Sequence, residues 1–220
     1  DDPKATLGLA TGSSAQAVYP YIIRAYEKGE VDFSQAHSVN LDEYIGLTPE
    51  HDQSYRYFMD TNLFDHINID KKNTFVASGM GDFEANAREL EEKVREGGAA
   101  DLQLLGIGNN GHIAFNEASD HLIAVAHTEK LTESTINANA RFFEKKEDVP
   151  TMAITMGMGD ILAAKKVVLA ATGLAKVPAI KGLIMDDVIT TQNPSTMLKM
   201  HEDAVVVIDR ELADAVGYRA

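Results

Sequence analysis

"DLQLLGIGNNGHIAFNE", residues 101–117, begins as an apolar run and ends as a cluster of reactive side chains. Leu102, Leu104, Leu105 and Ile107 give the short, nearly continuous apolar pattern of a strand buried on both faces. Gly106, Gly108, the Asn109-Asn110 pair and Gly111 then break it. His112, Asn116 and Glu117 follow within six residues. An imidazole, an amide and a carboxylate just past a strand end can form an acid–base relay. His112 could equally be a histidine bonded to backbone. A metal site would need more ligands than His112 and Glu117, and no HxxxH or HxH pair supplies them.

Outward from this stretch, strand and helix patterns take turns. "ATLGLA" (5–10), "HSVNLDEY" (37–44, a strand running into a loop), "NTFVAS", "MAITM", "KVVLAA" and "AVVVID" read as strands. "AQAVYPYIIRAYEKG", "EHDQSYRYFMDTNLF", "FEANARELEEKVREGG", "LTESTINANARFF", "GLAKVPAIKGLIM" and "RELADAV" read as helices. Alternation of this kind predicts a mostly parallel sheet with helices on both faces. No repeat, low-complexity segment or long linker interrupts it, so residues 1–220 are expected to form one α/β domain.

Bulk properties remove several function classes. The chain has 220 residues, 45% apolar and 25% charged, enough for a substantial core. It has no Cys, hence no disulfide and no thiolate metal site. No apolar run approaches the roughly 20 residues that span a bilayer. "DDPKATLG" has no apolar core of a signal peptide, so a soluble, cytoplasmic protein is expected. A formal net charge of −14 argues against nucleic acid and anionic membrane as partners. A small anionic substrate responds to local charge and stays possible.

Ligands of such sheets bind at the carboxyl ends of strands, and three further strand ends carry chemistry. "LGLATGSS" places Thr11, Gly12, Ser13 and Ser14 at the start of a helix, where free backbone N–H groups attract phosphate; one of the hydroxyls could instead simply cap that helix. "NLDEYIGL" sets Asp42 beside Glu43, a base with an orienter or an ordinary acidic loop. "AATGLAKVPAIKG" puts Lys176 in the first turn of a helix, a poor place for a cation unless an anion sits there too. Arg141, in "ARFF", is a second candidate cation or a surface arginine.

Taken together, "LGLATGSS", "VNLDEYIGL", "LLGIGNNGHIAFNE", "ARFF" and "TGLAKVPAI" resemble, in order and approximate spacing, the glucosamine-6-phosphate deaminase (isomerase) family, which shares its fold with 6-phosphogluconolactonases. The lactonase branch lacks the "IAFNE" continuation. The resemblance implies a Rossmann-like three-layer sandwich. It also implies conversion of D-glucosamine 6-phosphate and water to D-fructose 6-phosphate and ammonia, with neither cofactor nor metal. By the same resemblance His112 opens the sugar ring with Glu117 as its partner, and Asp42 is the base at C2. Thr11, Gly12, Ser13 and Ser14 then hold the phosphate with Arg141 and Lys176. Gly108, Gly111 and Glu43 belong to the loops around the sugar. The alternatives are a sugar-phosphate lactone hydrolase, which needs no Asp42, and a sugar-phosphate sensor without turnover.

Three features depart from the family pattern. Asn110 stands where many members have Asp; as an amide it would accept a hydrogen bond from the imidazole without stabilising its charge. Ala118 replaces a proline after Glu117. The sequence begins close to the phosphate loop, which implies a shortened or alternative sheet edge. In allosteric relatives basic residues follow the glutamate, whereas "SDHLIAVAHTEK" offers His127 and Glu129. An unregulated, monomeric enzyme is expected.

Overall fold

The computed structural model describes residues 2–96 and 98–219. In chain order the elements are β1 (Thr6–Leu9), α1 (Gly12–Glu27), β2 (His37–Asn40), β3 (Asp42–Tyr44), α2 (Tyr55–Asn62), β4 (Thr74–Phe75), α3 (Phe83–Glu96), β5 (Leu102–Leu105) and β6 (His127–Lys130). They continue with α4 (Glu133–Asn139), β7 (Met152–Thr155), α5 (Met158–Leu162), β8 (Val167–Ala171), α6 (Val177–Ile184), β9 (Ala204–Ile208) and α7 (Arg210–Val216). Among the described residues, six strands form a parallel sheet in the order β4-β2-β1-β5-β8-β9. With its helices this makes the three-layer α/β sandwich expected from the alternation.

The strand order has a functional consequence. The chain leaves β1 toward β2 on one side and leaves β5 toward β8 on the other. A crevice therefore opens between the carboxyl ends of β1 and β5, where the direction of winding reverses. The loop after β1 carries Thr11 to Ser14, and the loop after β5 carries residues 106–117. Buried Tyr19 of α1 fixes the first of these loops, since its hydroxyl donates to the Ala10 carbonyl.

A second, smaller sheet accompanies the parallel one and takes in β3 and β7. β3, β7 and β6 pair antiparallel in the order β3-β7-β6. "MAIT" is apolar because Ala153 and Ile154 are fully buried, and a buried strand looks the same in sequence whichever way its neighbours run. Asp42 accordingly lies in a strand, not in a strand-end loop. Leu41 is the pivot: its N–H donates to Leu9 O (3.1 Å) in the central sheet, and its carbonyl accepts from Met156 N (2.7 Å). β6 (HTEK) and α5 had no periodic signal to reveal them. No helix among the described residues is long and apolar enough to cross a membrane.

Candidate active site

A cavity of about 450 Å³ opens at the crevice. Its walls include Thr11, Gly12, Ser13, Ser14, Asp42, Gly108, Asn110, His112, Arg141 and Lys176. Residues up to 166 positions apart in sequence thus meet around one space, the difference between Ala10 and Lys176. Glu43, Gly111 and Glu117 do not face it.

One end is built for an anion. Thr11 is the N-cap of α1, yet its side chain makes no capping hydrogen bond, and no acidic residue occupies the first turn. The simple capping role is therefore not what Thr11 performs, and the N–H groups of a 16-residue helix stay available to a ligand. Arg141 lies in the short 3-10 turn after α4, and Lys176 ends a 3-10 turn that runs into α6 rather than sitting inside the helix. Burial, and then the like charge of Arg141, lower the Lys176 ammonium to about 8. The Lys176 loop is itself held in place: Asp209 accepts from Gly173 N (2.9 Å) and caps α7 by accepting from Leu212 N (2.7 Å).

Asp42 and Glu43 are adjacent and do different things. Successive side chains on a strand point to opposite faces. Asp42 lines the cavity, and its carboxylate accepts no hydrogen bond from the described residues. Burial, with a further push from Glu43, raises its pKa well above the usual carboxylate range. Glu43 turns away. Its Oε1 accepts from Tyr44 N (2.8 Å) and Tyr55 N (2.9 Å), and its Oε2 accepts from Arg56 N (3.0 Å). It fastens the start of α2 to β3, so the expectation that it belongs to a substrate loop is corrected. Burial raises Glu43 to about 7 against the pull of those three donors.

The loop after β5 assembles the imidazole pair. Gly108 N donates to His112 O (2.8 Å), closing a tight turn in which Gly111 adopts φ +85°. Phe115 N donates to Thr155 Oγ1 (3.0 Å), and the Asn116 amide donates to Ile113 O and Met156 O. Asn116 is thus a brace between this loop and β7. It delivers Glu117, 5% exposed, behind His112, with Glu117 Oε2 at 3.3 Å from His112 Nδ1.

Asn110 differs from expectation. It does not meet the imidazole. Its Nδ2 donates to Glu117 Oε2 (2.7 Å), and its Oδ1 accepts from His112 N (3.3 Å). Thr132 Oγ1 (3.2 Å) and Thr135 Oγ1 donate to Glu117 Oε1. Burial alone would raise the Glu117 carboxyl. Hydrogen bonds from His112, Thr135 and Asn110, with the His112 charge, outweigh it and hold Glu117 at about 2. A group so tied stays ionised and orients the histidine instead of exchanging protons itself.

Several cavity residues escaped sequence reasoning. Tyr55 from α2 and Ser134, Thr135, Ala138 and Asn139 from α4 line it, as does Phe115. Tyr55 and Phe115 stack on one another, Tyr44 packs against both, and Asn139 Nδ2 donates to Tyr44 Oη (2.8 Å). Residues such as Ser134 and Asn139 look like any helix surface until α4 is placed over the sheet end.

Comparison with known proteins agrees with this geometry. Residues 1–207 match the family model described as glucosamine-6-phosphate isomerases/6-phosphogluconolactonase. The chain is 53% identical over 213 residues to the glucosamine-6-phosphate deaminase of Clostridium beijerinckii, covering 96% of this chain and 88% of that one. It is 49% identical over 217 residues to the enzyme of that name from Thermoanaerobacter sp., covering 98% and 85%. A solved structure described as a monomeric glucosamine-6-phosphate deaminase superposes with a TM-score of 0.94 at 39% identity, covering 97% of this chain and 89% of that one. The 6-phosphogluconolactonase of Trypanosoma cruzi, at 16% identity and a TM-score of 0.75 over 96% of this chain and 84% of its own, shares the fold. The chain belongs to the glucosamine-6-phosphate isomerase/6-phosphogluconolactonase family.

Proposed function

We propose that this protein is a glucosamine-6-phosphate deaminase, a single catalytic domain over residues 1–220 that releases ammonia and D-fructose 6-phosphate. One observation carries the reading: Asp42, His112 with Glu117 behind it, and the cations Arg141 and Lys176 meet at one cavity of the size a small ligand needs, lined by all of them but Glu117. The α1 N-terminus, with Thr11, Gly12, Ser13 and Ser14, takes the phosphate together with Arg141 and Lys176. His112, oriented by Glu117, moves the proton at the ring oxygen and opens the pyranose. Asp42 then removes the proton from C2 and returns it at C1, turning the C2 amine into an imine that water hydrolyses. Burial supports Asp42 in this role, because a base is most effective when its pKa is raised toward the working pH. The relative described as monomeric supports a monomer. A sugar phosphate, which does not cross bilayers, points to the cytoplasm.

The direct test is ammonia release from glucosamine 6-phosphate, followed by a coupled assay. Release at a rate typical of enzymes is the expected result. Hydrolysis of 6-phosphogluconolactone without ammonia would make the protein a lactonase, and binding without either product would make it a sensor.

The phosphate cations give a pH prediction. Lys176 is charged below about 8 and neutral above it, and the substrate phosphate is bound by the charged form. kcat/KM should therefore fall as pH rises through about 8, through KM more than kcat, since the phosphate is remote from the reacting carbons. Lys176→Arg keeps its charge throughout and should lose this limb. The substrate's own amine titrates alike with both proteins, so the difference between the two profiles isolates Lys176. Superimposable profiles would remove it from the site.

A further inference from the structure

We propose that Thr135 is a positioning residue for the His112–Glu117 pair, fixing which imidazole nitrogen carries the proton. The argument is a count of protons and lone pairs. A hydroxyl has one proton to give. Thr135 gives its proton to Glu117 Oε1, so the Thr135 oxygen presents only lone pairs to its other neighbours. One of these is His112 Nδ1, at 3.5 Å. His112 Nδ1 therefore faces two acceptors, Thr135 Oγ1 and the ionised Glu117 Oε2 at 3.3 Å. Both favour a proton on Nδ1, which leaves the lone pair of the neutral ring on Nε2.

The same hydroxyl completes the environment of Glu117. Oε2 accepts from Asn110 and His112, and Oε1 accepts from Thr132 and Thr135. Four donors match the roughly four lone-pair sites of a carboxylate. The carboxylate has no freedom to rotate away from the imidazole. Thr135 occupies the third position of α4, where a Glu or Gln often reaches back to the N-cap backbone. Here Thr132 Oγ1 caps the helix by accepting from Thr135 N (3.3 Å), and the side chain at position 135 does not reach back. The Thr135 hydroxyl, 4% exposed, is spent on Glu117 instead.

The catalytic consequence rests on the deaminase reading; the tautomer does not. The first measurement uses free protein labelled with nitrogen-15 histidine, with His112 assigned through His112→Gln. Wild type and Thr135→Ser should show the ring proton on Nδ1, and Thr135→Val should show a mixture of tautomers. The second is turnover of glucosamine 6-phosphate. Thr135→Val should lower kcat about 10- to 100-fold, the worth of one hydrogen bond to a charged group, with KM changed less than about twofold. Thr135→Ser should stay within about threefold of wild type, since it keeps the hydroxyl. If the valine variant misfolds, Thr135→Ala carries the same comparison and should fall below the serine variant in kcat. A valine or alanine variant with wild-type tautomer and kcat overturns the proposal, as does a serine variant that loses as much as valine. A wild type that releases no ammonia would sink the deaminase reading alone, and the tautomer comparison would still decide Thr135.

Discussion

Asp42→Asn is expected to cut deamination roughly 10²–10⁴-fold, the usual worth of a general base, while leaving sugar-phosphate binding intact. A carbon–hydrogen bond beside an imine or carbonyl is a weak acid and needs a positioned base. Asp42 sits on the cavity wall, buried and held by the pairing of β3 with β7. Asn keeps its shape and removes its basicity. The same variant should stop exchanging the transferred hydrogen with solvent deuterium when given fructose 6-phosphate and ammonium. It should also be more thermostable at neutral pH. The folded-state pKa of Asp42 is raised above its unfolded value, so ionising it costs stability as pH rises from the unfolded pKa toward the folded one. Asn carries no such cost. Near wild-type deamination by this variant would mean that Asp42 is not the base. A lactonase has no carbon acid to deprotonate and would not depend on this residue.

Gly108→Ala is expected to be as damaging as loss of His112 itself. A Cβ at position 108 would overlap the His112 ring at Cε1, Nδ1 and Nε2. The ring cannot retreat without breaking its contact with Glu117 at 3.3 Å. Both Gly108→Ala and His112→Gln should therefore lose about 10²-fold or more in turnover of the closed pyranose, the range of a lost acid–base group. Each should lose much less on an open-chain analogue that skips ring opening. The double variant should be no worse than either single one, because the two changes remove one function. Losses that multiply would show that Gly108 and His112 act separately. An alanine variant with more than half of wild-type kcat would show that the imidazole can move without consequence.

What the sequence determined by itself was the alternation and the contents of the loops. Apolar runs such as "LQLL" and "VVLAA" and the glycine breaks after them announce buried strands that end in turns, because burial and backbone freedom are local properties. The same locality made Thr11 to Ser14, Asp42, His112, Arg141 and Lys176 legible as candidates, and the fold gathers them around one cavity. Tertiary structure alone decided direction and partnership. β7 reads like a parallel strand and pairs antiparallel, since the ladder's sense depends on a neighbour far along the chain. That pairing sets which face of β3 meets the cavity, and so gives Asp42 to the site and Glu43 to α2. Asn110 is two residues from His112 and seven from Glu117, yet its side-chain amide bonds Glu117 because the turn through Gly111 folds it that way. Thr135 has no mark in its own segment to distinguish it from any helix hydroxyl. Its partner is 18 residues away, and only the placement of α4 over the end of the sheet brings the two together.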